Sequence, residues 1–143
     1  MFVDASAIFA IMMKEPRFEI YFEKLKVTEG QLITSVIAVW ETTAAIFRKK
    51  NIAMAEAASQ VNAFLEAANI GVVPILNEDL PTALQAFERY GRHHYPTANR
   101  NSALNFADCF HYATAKFHHA PILTKDAGFA LTDLETIGAA KGQ

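Results

Sequence analysis

Short apolar runs bounded by breaks alternate along the chain with longer stretches whose apolar positions recur every three to four residues. Met1-Phe2-Val3, Gln31-Leu32-Ile33-Thr34, Val72-Val73-Pro74-Ile75 and Pro121-Ile122-Leu123-Thr124 are bulky or β-branched and predict buried strands. Helical spacing marks Ile8, Ile11 and Met12, then Val36 to Phe47, Ile52 to Ala68, Leu84, Phe87 and Tyr90, and finally Ala103 to Phe117. Strands separated by helices predict an α/β fold in which a parallel sheet is covered on both faces. Gly71 is expected to stop the helix before it, and Asn77 or Asp79 to cap the next, with Pro81 near its first turn. The tail from Ile137 to Gln143 carries little structural signal and is expected to fray.

A length of 143 residues suits one domain, 1–143, and a composition 52% hydrophobic and 20% charged can bury a core, which excludes a disordered chain. No apolar run reaches the ~20 residues that cross a bilayer, and Met1-Phe2-Val3-Asp4 lacks a basic region followed by an apolar signal stretch, so a cytoplasmic protein without a membrane role is expected. One cysteine excludes an intrachain disulfide framework and a cysteine-based zinc knuckle. A net charge of -2 argues against a strongly basic nucleic-acid binder but not against a nuclease, since metal-holding carboxylates count as negative in that sum.

The placement of four acids carries the chemistry. Asp4 follows the first predicted strand, where open parallel sheets bind ligands; capping the next helix is its other reading. Glu41 interrupts the apolar run Val36 to Ile46 beside Trp40, and a buried carboxylate needs a cation, while a solvated helix face is the alternative. Asp108 lies in an almost wholly apolar helix, with Asn105 and His111 three residues away on its face; these two could satisfy it without a metal. Asp126 follows the strand Pro121 to Thr124, or simply forms a turn before Ala127-Gly128. Carboxylates gathered at strand ends would repel one another and raise their own pKa values, and hard divalent cations such as Mg²⁺ or Mn²⁺ relieve that repulsion. Paired cations of this kind are common machinery for in-line attack on phosphodiesters.

The segments Met1 to Ala7, Thr34 to Glu41, Ala103 to Phe110, and Ile122-Leu123-Thr124-Lys125-Asp126 with Phe129 and Thr132-Asp133 resemble the PIN-domain ribonucleases, and more narrowly the VapC toxins of toxin–antitoxin pairs. The similarity runs from Met1 to about Leu134, and Leu104 to Asp133 is its most specific part. It implies a three-layer α/β/α sandwich with a small, mainly parallel central sheet. It implies a Mg²⁺- or Mn²⁺-dependent endoribonuclease, usually a homodimer, silenced by a VapB-like antitoxin. By position Asp4, Glu41 and Asp108 match the metal-binding catalytic acids, and Asp126 best matches the fourth, with Asp133 a competitor. Ser6 matches the small hydroxyl residue that accompanies the first acid.

The polar stretch Arg89 to Asn101 reads as a loop rich in cations and aromatics. Arg89, Arg92, His93, His94 and Arg100 are candidates to touch RNA phosphates, with Tyr90 or Tyr95 stacking on bases; an ordinary solvated loop is the alternative. Lys116 is expected at the surface, and Cys109 in the core rather than as a nucleophile. His111, His118 and His119 lack a soft ligand set and are expected to pack or to lie on the surface. The apolar residues Phe18, Tyr21, Phe22 and the Ile52 to Phe64 helix offer an antitoxin groove, a dimer seam or simply core. An aspartyl phosphatase of the haloacid dehalogenase type needs a second Asp two residues after the first, and Ser6 occupies that place. A non-catalytic PIN-like module that binds RNA or a partner is the alternative function.

Overall fold

The computed structural model describes residues 1–139. Five parallel strands, β1 (Phe2–Val3), β2 (Leu32–Ser35), β3 (Ile70–Val73), β4 (Ile122–Leu123) and β5 (Thr136–Ile137), lie in the order β3-β2-β1-β4-β5. Six helices surround them: α1 (Ala5–Met12), α2 (Phe18–Val27), α3 (Val36–Lys50), α4 (Met54–Ala67), α5 (Asp79–Tyr90) and α6 (Phe106–Phe117).

Side chains alternate across a strand, and here that alternation divides the interior in two. Phe2, Ile33 and Ile122 turn to one face and pack with Ala83, Ala86, Tyr112, Ala113 and Phe129. Val3 and Leu123 turn to the other and meet Ile8, Ile11, Tyr21, Leu25, Val61 and Leu65. Helix α3 serves both layers, giving Ala38 to the first and Ile46 to the second. The expected three-layer α/β/α sandwich with a parallel central sheet is therefore the fold.

The register sets up the site. Phe2 stands beside Ile33 and Ile122, and Val3 beside Leu123, so Asp4 and Thr124 emerge side by side where β1 and β4 end. The chain winds outward from β1 through β2 to β3, then returns to β4 on the opposite side. That reversal puts the switch point, the usual ligand crevice of such sheets, between β1 and β4.

Several local expectations are corrected. The strand placed at Val72 to Ile75 is Ile70–Val73, and it is an edge strand with Gly71 and Val72 exposed rather than a buried one. Gly71 lies inside that strand and stops nothing; α4 ends at Ala67, and Asn69, with φ 54°, makes the left-handed step that Gly71 was expected to supply. On α5 the buried apolar positions are Ala83 and Ala86, while Leu84 and Phe87 are exposed, because small side chains allow α5 to lie close against α6. The cap position of α5 is Glu78, whose side chain makes no cap bond, rather than Asn77 or Asp79; Asp79 is the first helical residue and accepts from the Leu76 N–H at 2.7 Å. Helix α6 begins at Phe106 rather than Ala103.

Helix α2 and strand β5 were not foreseen. Part of the tail expected to fray is β5: Glu135 O accepts from Ile122 N, and Ile137 O from Thr124 N, at 2.9 and 3.0 Å. Residues 140–143, where the rest of that expectation falls, lie outside the described residues. The polar stretch from Arg89 holds the end of α5 and two short 3-10 turns, Arg92–His94 and Thr97–Ser102. Tyr21 is buried and Phe22 exposed, and on α4 Ala57, Val61 and Leu65 are core residues.

Candidate acidic metal centre

Asp4 occupies the N-cap position of α1 in extended conformation, yet its side chain makes no cap bond. Its Oδ2 instead accepts from Ser6 Oγ at 2.7 Å and from Thr124 Oγ1 at 2.8 Å. Thr124 accepts in turn from the Asp126 N–H, and Ser6 from the Lys125 N–H, at 2.9 and 3.0 Å. The end of β4 is thus tied to the first acid through two hydroxyls. Asp4 is 4% exposed, and the capping reading is excluded.

Glu41 sits on the second turn of α3, half-buried, and its Oε1 lies 2.5 Å from His111 Nε2. His111 projects from α6 with no exposure, and the same Nε2 is 3.6 Å from Asp4 Oδ1. Ligand atoms of Asp4, Glu41 and His111 all fall within 4.8 Å of one another, close enough to share one cation. Burial pulls the His111 pKa down, but the Glu41 hydrogen bond and the charges of Asp4, Glu41 and Asp108 outweigh it and the net shift is upward.

Asp108 is the third residue of α6 and forms a capping box: its backbone N–H donates to Asn105 Oδ1 at 2.9 Å, and its Oδ2 accepts from the Asn105 N–H at 3.0 Å. Asn105 does satisfy part of Asp108, as the metal-free reading supposed, but His111 spends its hydrogen bond on Glu41. Burial pushes the Asp108 carboxyl up to about 7; the Asn105 N–H opposes that rise, the charges of Asp4 and Asp126 add to it, and that of His111 opposes it. Asp126 forms the turn its other reading described, its Oδ1 accepting from the Gly128 N–H at 2.8 Å. Burial raises its pKa too, with Gly128 opposing and Asp4 reinforcing.

Each acid is therefore held through one oxygen: Asp4 and Asp108 through Oδ2, Asp126 through Oδ1, Glu41 through Oε1. Among the described residues the other oxygen of each accepts no hydrogen bond. Asp108 and Asp126, with raised pKa values, feel the charge of Asp4, and Asp4 and Glu41 flank the buried His111 imidazole; such a set of acids, each with one oxygen that accepts no hydrogen bond, fits a divalent cation. Asp133 does not belong to this group. It accepts from Tyr112 Oη at 2.6 Å and from Lys116 Nζ at 2.7 Å, and those bonds pull its pKa down.

Two participants escaped the sequence. His111, read either as a partner of Asp108 or as a packing or surface residue, instead reaches Glu41 and Asp4; what the sequence did not show is that its ring turns to those two acids. Thr124 closes β4, and its position beside Asp4 appears only once the register of β1 with β4 is known. His118 and His119 are exposed, as is Lys116 in part, and Cys109 is 3% exposed with its thiol pushed up to about 11 by burial and by Asp108.

Arg89, Arg92 and Arg100 are all exposed. Arg89 lies on the last turn of α5 near Tyr112, and Arg92 in the first 3-10 turn. Arg100 lies in the second, a segment that packs against the turn following Asp126. Tyr90 packs on Tyr112 and Tyr95 on His94. No helix among the described residues is long and apolar enough to cross a membrane.

The profile of the PIN domain matches residues 1–134. A VapC ribonuclease of Rhizobium meliloti (strain 1021) is 35% identical over 143 residues, covering 93% of this chain and 98% of the relative. Ribonuclease VapC of Mycolicibacterium smegmatis is 28% identical over 138 residues, covering 96% and 99%. Among solved structures, VapC20 of Mycobacterium tuberculosis, a sarcin-ricin loop cleaving toxin, superposes with a TM-score of 0.68 at 18% identity, over 93% of this chain and 95% of that one. A toxin-antitoxin complex from Klebsiella pneumoniae gives 0.65 at 15% identity, over 95% and 94%. These two share the fold.

Proposed function

Because the chain belongs to the PIN-domain family and, within it, groups with the VapC ribonucleases, we propose that it is a Mg²⁺- or Mn²⁺-dependent endoribonuclease toxin that hydrolyses RNA phosphodiesters. The observation that carries this reading is the clustering of ligand atoms of Asp4, Glu41 and His111 within 4.8 Å at the end of β1, with Asp108 and Asp126 near enough to Asp4 for its charge to raise their pKa values. Asp4, Asp108, Glu41 and Asp126 would hold the ion, with His111 beside them. When bound, a divalent cation supplies Lewis-acid stabilisation of charge on the phosphorus oxygens and lowers the pKa of water.

The chain's own groups prepare that chemistry. Ser6 and Thr124 hold Asp4 Oδ2, which leaves Oδ1 turned toward His111 Nε2. His111 holds Glu41, and Asn105 holds Asp108, so the ligands need little reorganisation when charge develops. Arg89, Arg92 and Arg100 position RNA phosphates from outside the acidic pocket. A homodimer acting in the cytoplasm and silenced by a VapB-like antitoxin completes the proposal; the family membership supports both partners.

Cleavage of RNA by the purified protein, with and without EDTA and beside Asp4→Asn and Asp108→Asn, tests it. Wild type cuts, EDTA stops it, and each variant loses at least about a hundredfold in rate. Cleavage by either variant at the wild-type rate removes the acids from the mechanism. Binding of RNA without cleavage by wild type would instead identify a non-catalytic PIN-like module.

A further inference from the structure

The acidic centre has an apolar neighbour. Val36, Ile37 and Trp40 on the first turns of α3 and Phe106 and Ala107 on the first turn of α6 enclose a recess of about 480 Å³, and Glu41 forms its remaining wall. Trp40 is 69% exposed and Phe106 73%, the two largest exposures among the bulky apolar side chains. Trp40 directly precedes Glu41, and Phe106 precedes Asp108 by two residues. The aromatic rings are therefore carried by the same helical turns that present two of the acids. Phe106 leans on Phe110, with ring centroids 5.2 Å apart and the rings tilted by 59°.

We propose that this recess holds the unpaired nucleobase next to the scissile phosphate, stacked against Trp40 and Phe106, and that it selects where RNA is cut. This rests on the ribonuclease reading above. A phosphodiester seated at the acids necessarily brings its flanking nucleoside to an adjoining surface, and the recess shares Glu41 with the acidic centre. Its volume suits a small flat guest rather than a helix. A nucleobase is uncharged, so the acids do not repel it, and its π-face matches aromatic walls; sequence-selective RNA recognition works this way on unpaired bases.

The test uses the full chain and a short single-stranded oligoribonucleotide, intact or carrying one abasic site at successive positions. Wild type should lose about five- to a hundredfold in kcat/KM when the abasic site falls at one fixed offset from the cut, and little elsewhere. Trp40→Ala and Phe106→Ala should lose a similar factor on intact RNA and become indifferent to that abasic site, with Trp40→Phe restoring both. Trp40 is the sole tryptophan, so its fluorescence should respond when intact RNA is added to the Asp108→Asn chain, and less with the abasic one. Equal cleavage by wild type of intact RNA and of every abasic RNA overturns the proposal. So does a Trp40→Ala chain that keeps its abasic sensitivity but sediments as a smaller species, since the recess is then a seam between copies. A wild type that cuts no RNA at all overturns the ribonuclease reading itself.

Discussion

Thr124 Oγ1 donates to Asp4 Oδ2 at 2.8 Å across 120 positions of sequence, and the same oxygen accepts from the Asp126 N–H at 2.9 Å. One hydroxyl therefore fixes the first acid and the backbone of the fourth. Thr124→Val keeps the shape but leaves a buried carboxylate oxygen with one donor fewer. We expect a stability loss of about 1–3 kcal/mol by chemical denaturation and a roughly 10–100-fold weaker divalent-cation affinity by calorimetry. Unchanged affinity would mean that Ser6 alone suffices to orient Asp4.

Stability should depend on pH in a direction set by the raised groups. Asp108, raised to about 7, keeps its proton in the folded chain between pH 4 and 7 while the unfolded chain has lost it. The folded state then binds more protons, so stability falls as pH rises through that window. His111, also raised, contributes stability that is present below its ordinary pKa and is lost as pH climbs through the folded value. Both act in the same sense. Thermal melts of the metal-free protein should drop in Tm from pH 5 to pH 8, Mn²⁺ should restore more at pH 8 than at pH 5, and Asp108→Asn should flatten the metal-free profile. A Tm that rises over that range contradicts the assigned shifts.

The choice between Asp126 and Asp133 is open to direct comparison. Asp133 is bonded to Tyr112 and Lys116 and its side chain is 48% exposed, so Asp133→Asn should leave cation affinity unchanged and cost at most about 1 kcal/mol. Asp126→Asn should weaken cation binding and slow RNA cleavage at least about tenfold. The reverse pattern would move the fourth acid to Asp133.

Cys109 is buried, with its thiol pushed up to about 11. Labelling by a thiol reagent at pH 8 should therefore be slow in the folded protein and become fast only in denaturant. Rapid labelling under native conditions would show that α6 opens locally.

The layers and the acids were legible because each depends on short-range pattern: strands by apolar runs, helices by period, and Asp4 and Asp126 by following strands. Glu41 and Asp108 stood out as charges in apolar helices. What was hidden depends on pairing. Thr124 becomes a partner of Asp4 only through the parallel register of β1 and β4, and His111 reaches Glu41 only because α6 packs against α3. Strand β5 is two residues long and α2 mixes charge with bulk, so neither presents a clear period. Leu84 and Phe87 misled because periodicity marks an apolar stripe without saying whether tertiary contacts cover it.

The most direct check is a Mn²⁺ titration followed by the electron paramagnetic resonance of the free ion, on wild type and on Asp4→Asn and Asp108→Asn chains shown by circular dichroism to be folded. Saturable uptake by wild type, weakened at least about tenfold in both variants, is the result expected of acids that share one pocket. Equal uptake by all three chains, or none by wild type, would show that these carboxylates do not act together.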